Sequence, residues 1–116
     1  MSLRGIGQEK VAFISDTIAS GTASAAIDLK GATLVGLITP SSTSSTAFTI
    51  TSSDLVDGTY VTVAAAVGGA NYSGTITSSK HYTIDPAITY GLRFIKIVYG
   101  STETAKTFKY AIRSFE

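Results

Sequence analysis

Apolar and polar positions alternate over short stretches of this chain, at the period of a strand and not of a helix. The strongest such stretch is residues 90–100, YGLRFIKIVYG. Leu92, Phe94, Lys96 and Val98 fall on one face, and Arg93, Ile95, Ile97 and Tyr99 on the other, because side chains alternate along a strand. Both faces are mostly apolar. That predicts a central strand covered on both sides, with its two cations snorkelling at the margins.

Taken in order, residues 1–10 show no period and contain two glycines, and read as a mobile N-terminal arm. Residues 11–116 then read as a single β domain. A first strand is predicted at 11–15 (VAFIS). Residues 16–20 and 24–29 read as two strands joined by a turn at Gly21-Thr22-Ala23. Residues 34–39 (LVGLIT) are apolar on both faces, and Gly36 within them marks a bulge or the close crossing of another backbone. Pro40 ends that strand because it has no N–H to give.

Residues 41–45 (SSTSS) read as a solvated loop. Residues 47–52 predict a half-buried strand with Phe48 and Ile50 inward. A turn follows at 54–58. Residues 60–66 read as a strand with Val61, Val63 and Ala65 on one side, and 68–71 as a hairpin-type loop. Two short strands at 72–77 and 80–84 and a corner at Asp85-Pro86-Ala87 lead into the 90–100 strand. Residues 100–105 read as a loop. Residues 106–115 close the domain, with Phe108, Tyr110 and Ile112 inward and Lys109, Ala111 and Arg113 outward. Eight to ten strands and no helix longer than a turn predict an all-β fold, a two-sheet antiparallel β-sandwich of jelly-roll type. The Cys-Trp-Cys set of immunoglobulin domains is missing.

Composition supports this picture. Ser and Thr make up more than a quarter of the 116 residues, and Val, Ile, Tyr and Phe fill the apolar positions, as suits a pleated surface. A chain of this length buries about 65% of its unfolded surface and needs no metal or disulfide to hold a core. It has no cysteine, which excludes thiolate chemistry. The formal net charge is +1, with both signs scattered, which argues against a nucleic-acid partner. No stretch reaches the length of a membrane-spanning helix, and MSLRGIGQEK lacks the apolar core of a signal peptide. A protein made in the cytosol, working there or packaged into a particle assembled there, is expected.

Candidate chemistry is sparse. His81 is the only histidine, and nothing near it resembles an activated serine. A zinc site needs three or four nitrogen or sulfur ligands. Asp54 and Asp57 offer oxygens, but the Asp57-Gly58 pair reads first as turn chemistry. Glu9, Glu103 and Glu116 fall in predicted loops or ends, so no carboxylate pair is held for acid–base work. Gly5-Ile6-Gly7 lacks the rest of a dinucleotide fingerprint. Asn71-Tyr72-Ser73 matches a glycosylation acceptor. Arg93 reads either as one half of a structural ion pair or as an interface residue, since arginine is favoured at contact surfaces. No cofactor and no metal are expected, and no enzymatic activity.

Several stretches resemble a family of small phage structural proteins. They are IASGTASAAIDLKGATLVGLITP, DGTYVTV and YTIDPAITYGLRFIKIVYGSTETAKTFKYAIRSF, spanning about Ile18 to Phe115. In size and strand pattern the chain is similar to the small jelly-roll decoration, or cement, proteins of tailed-phage heads. The resemblance implies a virion protein on the outer capsid surface that ties major capsid subunits together, as a homodimer or other homo-oligomer, with no nucleic-acid or membrane partner. It supplies no contact motif residue by residue. The expected partner-binding residues therefore come from the arm and the spine strand: Arg4, Gln8, Lys10 and Arg93. Two alternatives stand beside it. One is a tail, neck or baseplate component with the same fold. The other is a galactose-binding-like carbohydrate-binding module, since LRFIKI resembles its late strand and Tyr72, His81 and Tyr82 offer sugar-binding groups.

Overall fold

The computed structural model describes residues 10–64 and 66–114. Its strands are β1 (Lys10–Ala23), β2 (Ile27–Asp28), β3 (Thr33–Ile38), β4 (Ala47–Ser53), β5 (Val61–Thr62), β6 (Ser73–Thr75), β7 (His81–Thr83) and β8 (Phe94–Ser114). One 3-10 turn, Pro86–Ile88, is the predicted corner; the Asp85 carboxylate caps it by accepting from the Ala87 N–H at 3.0 Å.

All strands join one eight-stranded antiparallel sheet, and β8 organises it. Along one edge β8 bonds β2 at Phe94 and Ile95, then β1 from Val98 to Ser114. Along the other it bonds β4 through residues 94–99 and β3 through residues 109–113. β7 extends the sheet from β3, and β5 and β6 from β4. The two halves of β8 thus lie in two layers of one sheet that curls over on itself, and the core fills the concave side. The all-β, antiparallel expectation holds. The division into two separate jelly-roll sheets is replaced by a connected sheet, because β8 passes through both layers without a break.

The bend is visible in the register. β1 advances from Ala23 to Gly21 while β8 advances from Val98 to Glu103. Before this point Ile95, Ile97 and Tyr99 are buried, and beyond it Phe108 and Tyr110. The inward parity therefore changes from odd to even, and Ala105, with φ of 53°, lies in the interval. A residue in the left-handed region consumes one position without continuing the alternation. The predicted loop at 100–105 is in fact the bent middle of β8, and the predicted strand pair at 11–15 and 16–20 is one strand, β1.

The core gathers Leu34 and Leu37 from β3, Phe48 and Ile50 from β4, and Ile95, Ile97, Tyr99, Phe108 and Tyr110 from β8. The Tyr99 ring stacks on Phe108 at 4.2 Å between centroids. Only the odd face of residues 94–99 is buried; Phe94, Lys96 and Val98 are half-exposed, so the spine is covered on one side and not two. Gly36 does what a glycine in a strand suggests. The β3–β8 register shifts between Leu34 and Gly36, and a Cβ on Gly36 would stand 3.2 Å from both Ala111 Cβ and His81 Nε2. That close approach also buries Ala111, which alternation had placed outward. The strand expected at 60–66 shortens to Val61–Thr62, and Val61 is exposed.

Candidate interaction surfaces

The first candidate surface is an open groove at the end of the molecule where β4 meets β5. Thr51 and Ser52 of β4 pair with Thr62 and Val61, which sets β5 as a short lip. The turn after β4 is closed by Gly58 N–H donating to the Leu55 carbonyl at 3.0 Å and by Leu55 N–H donating to Ser53 Oγ at 3.1 Å. The opposite wall is the segment before β8. Its Leu92 N–H donates to the Thr89 carbonyl at 3.0 Å, and buried Thr89 accepts the Leu34 N–H at 2.8 Å through Oγ1. Between these walls lies a cavity of about 470 Å³ lined by Ser53, Thr59, Val61, Val63, Leu92 and Arg93, among others. Val61 in its lining is more than half exposed, and Leu55, Val56 and Tyr90, each at least half exposed, lie within two positions of the lining residues Asp54 and Gly91 along the chain. Large apolar side chains clustered in the open around a concavity mark a contact surface.

Two cations brace this end. Arg93 makes a bidentate pair with Asp28, Nε to Oδ1 at 2.6 Å and a second guanidinium nitrogen to Oδ2 at 3.1 Å, and its guanidinium lies 4.8 Å from the Phe94 ring centre. The bond from Arg93 outweighs the small cost of burial and lowers the Asp28 carboxyl pKa. Lys96 Nζ stands 4.5 Å from the Tyr60 ring centre, and the Tyr60 hydroxyl donates to the Val56 carbonyl at 2.8 Å.

The second candidate surface is β1. Among the described residues its only pairing is with β8, so its other edge is open. Val11 and Phe13 on this strand are each 56% exposed, and the Phe13 ring meets His81 edge-on at 6.4 Å.

The remaining polar cluster is structural. Glu103 has no accessible surface and accepts from Thr43 Oγ1 at 2.8 Å, Ser45 N–H at 2.7 Å and Ser44 N–H at 3.0 Å. Residues 41–45 form the expected loop, with Ser41, Ser42 and Ser44 exposed, but it is anchored: a carboxylate in β8 pins it from beneath. Burial alone would raise the Glu103 pKa, but the bonds from Ser45, Ser44 and Thr43 outweigh it and lower it. In the core the Tyr99 and Tyr110 hydroxyls share a 2.6 Å hydrogen bond, and burial raises both phenol pKa values.

Of the predicted partner-binding residues, Arg4 and Gln8 lie outside the described residues. The backbone of Lys10 pairs in β1, opposite Ser114. Arg93 lines the groove, and its guanidinium is held by Asp28 in the structural ion pair that is one of the two readings of it. The sugar-binding candidates are not gathered: Tyr72 packs edge-on against Phe48, His81 against Phe13, and the Tyr82 hydroxyl accepts the Thr77 N–H. Sequence reasoning missed Phe13, because alternation assigns a face to a residue and not an edge to a strand, and it missed Leu55 and Val56, because 54–58 reads only as a turn.

No protein-family model and no curated protein matches the chain. Among solved structures, the SPBc2 prophage-derived protein YomS superposes with a TM-score of 0.62, at 12% identity, over 91% of this chain and 95% of that one. A chain from the Bacillus endospore appendages, described as a novel family of disulfide-linked pili, gives a TM-score of 0.41 at 17% identity, over 92% of this chain and 86% of that one. The likeness to YomS is one of fold: nearly the whole of both chains follows the same path.

Proposed function

We propose that this protein is a structural component of a phage virion, a decoration protein that sits on the outer capsid surface and ties neighbouring major capsid subunits together. The observation that carries the reading is the groove between β4–β5 and the segment before β8, with exposed Val61 in its lining and exposed Leu55, Val56 and Tyr90 next to its lining residues along the chain. Its floor is fixed by the sheet, and its rim by the Asp28–Arg93 pair and the closed turn at 54–58. A rigid apolar concavity needs no ordering when it meets a shell subunit, which keeps the entropy cost of docking low. The prophage origin of the YomS chain supports the same reading. The protein acts by binding and catalyses no reaction.

Purified protein added to undecorated capsids should bind saturably at fixed stoichiometry and raise the capsid melting temperature. Leu55→Asp combined with Val61→Asp should abolish binding, with an unchanged far-ultraviolet circular dichroism spectrum, since both side chains are exposed. Mass spectrometry of purified virions that found the chain in tails and not heads would move it to a tail or neck role. Its absence from virions would end the proposal.

A further inference from the structure

Soluble proteins guard long sheet edges with charge, proline, a bulge or a covering loop. Among the described residues, none of these guards residues 11–15 of β1. Val11 and Phe13 are exposed on the convex face; Ala12 is exposed on the concave face, and Ile14 lies half-buried at the margin of the core. Alternate residues of such a strand turn their N–H and C=O groups away from the sheet, ready for another strand.

We propose that this edge is occupied by the same edge of a second copy, so that two β1 strands pair antiparallel about a two-fold axis and two curled sheets become one. The register follows from the sequence of the strand. An axis normal to the sheet keeps core face continuous with core face, which requires residues of equal parity to stand opposite one another. Lys10 and Asp16 are the two charged residues of β1. Centred on Phe13, the register sets Asp16 opposite lysine position 10, Ala12 opposite the partner subunit's Ile14, and Phe13 opposite the partner subunit's Phe13. Centring on Ile14 sets Asp16 opposite Ala12, and centring on Ala12 sets position 10 opposite Ile14. Of these three, only the Phe13 register gives Ala12, Phe13 and Ile14 each an apolar residue opposite, with Val11 facing the partner subunit's Ser15 at the rim of the pairing. The mouth of the groove is formed by β4, β5 and the segment before β8, so β1 pairing and capsid docking use different strands.

Sedimentation equilibrium of the full chain at high micromolar concentration should give twice the chain mass, and Phe13→Lys should give the monomer mass with the circular dichroism spectrum retained. Because the chain has no cysteine, Phe13→Cys reports the register directly: under mild oxidant it should form a covalent dimer at least ten times faster than Val11→Cys or Thr17→Cys. The Phe13→Cys test stands even if Phe13→Lys fails to fold. A wild-type chain that stays monomeric, or crosslinking as fast at 11 or 17 as at 13, overturns the proposal. A dimer that fails to bind capsids leaves it intact and counts only against the virion role.

Discussion

At the scale of single residues, Glu103 shows how a charge becomes structural. Its carboxylate replaces water with three donors from residues 43–45, and those donors gain an acceptor that can satisfy them all. Glu103→Gln sets an amide NH₂ against N–H and O–H donors and should cost about 2–3 kcal/mol, the usual penalty for buried polar groups left unmatched beside a lost charged bond. The pH dependence has a definite sign. The folded pKa lies below the unfolded one, so the contribution is complete above the unfolded value and is lost as pH falls through the folded value. Urea titrations between neutral and acid pH should show the wild-type advantage over Glu103→Gln shrinking in that window; a constant difference would contradict the assignment. The Tyr99–Tyr110 pair behaves differently, because both groups are neutral. Tyr99→Phe removes one of the two side-chain partners of the buried Tyr110 hydroxyl, leaving Ser24, and should cost about 1 kcal/mol, whereas removing both hydroxyls should cost less than the two single changes summed. A double-mutant cycle measures this directly. Glu103 itself was not legible in the sequence: a lone acid among Ser and Thr reads as loop, and its donors lie some sixty positions away.

At the scale of elements, the sequence reveals strands well where one face is apolar and poorly where function of the strand is to bend. β3 and β4 were readable within a residue or so at each end, since LVGLIT and AFTITS carry their own periodicity and Pro40 follows the first. β8 was not readable as one element. Its middle, GSTETA, has the composition of a turn, and the parity change near Ala105 breaks the alternation that identifies a strand. Ala105→Gly should therefore stabilise the protein by about 0.5–1 kcal/mol, because relief of the left-handed strain exceeds the added freedom of the unfolded chain. Thermal denaturation would detect it; a lowered melting temperature would mean that the Cβ is held by packing instead. Gly74 should answer in the opposite sense. It pairs with Phe48 across β4 and β6, and a Cβ there would collide with the Phe48 ring. That ring is buried and meets Tyr72 edge-on, so it has little room to retreat. Gly74→Ala should cost about 1–3 kcal/mol.

At the scale of the whole molecule, the decisive fact is that the last strand holds all the early ones. β1, β2, β3 and β4 each bond to β8, and the N-terminal end of β1 lies beside the C-terminal end of β8, Lys10 opposite Ser114. Strand patterns give the number of elements but not this topology, which is why a two-sheet sandwich was expected where one curled sheet exists. The arrangement also makes stability indivisible. Residues 1–57 contain β1 to β4 but lack the strand that carries their hydrogen bonds; residues 58–116 contain β8 with both its edges bare. Neither half can close the core, whose members come from β3, β4 and both limbs of β8. A chain cut in the exposed turn at 54–58 should thus give two fragments that are each disordered alone. Mixed in equal amounts they should recover the β-type circular dichroism spectrum, slowly, because every pairing to β8 closes a loop of long sequence separation. If either fragment alone shows dispersed amide resonances, one layer folds without the other, and β8 is not the common support that its pairing makes it.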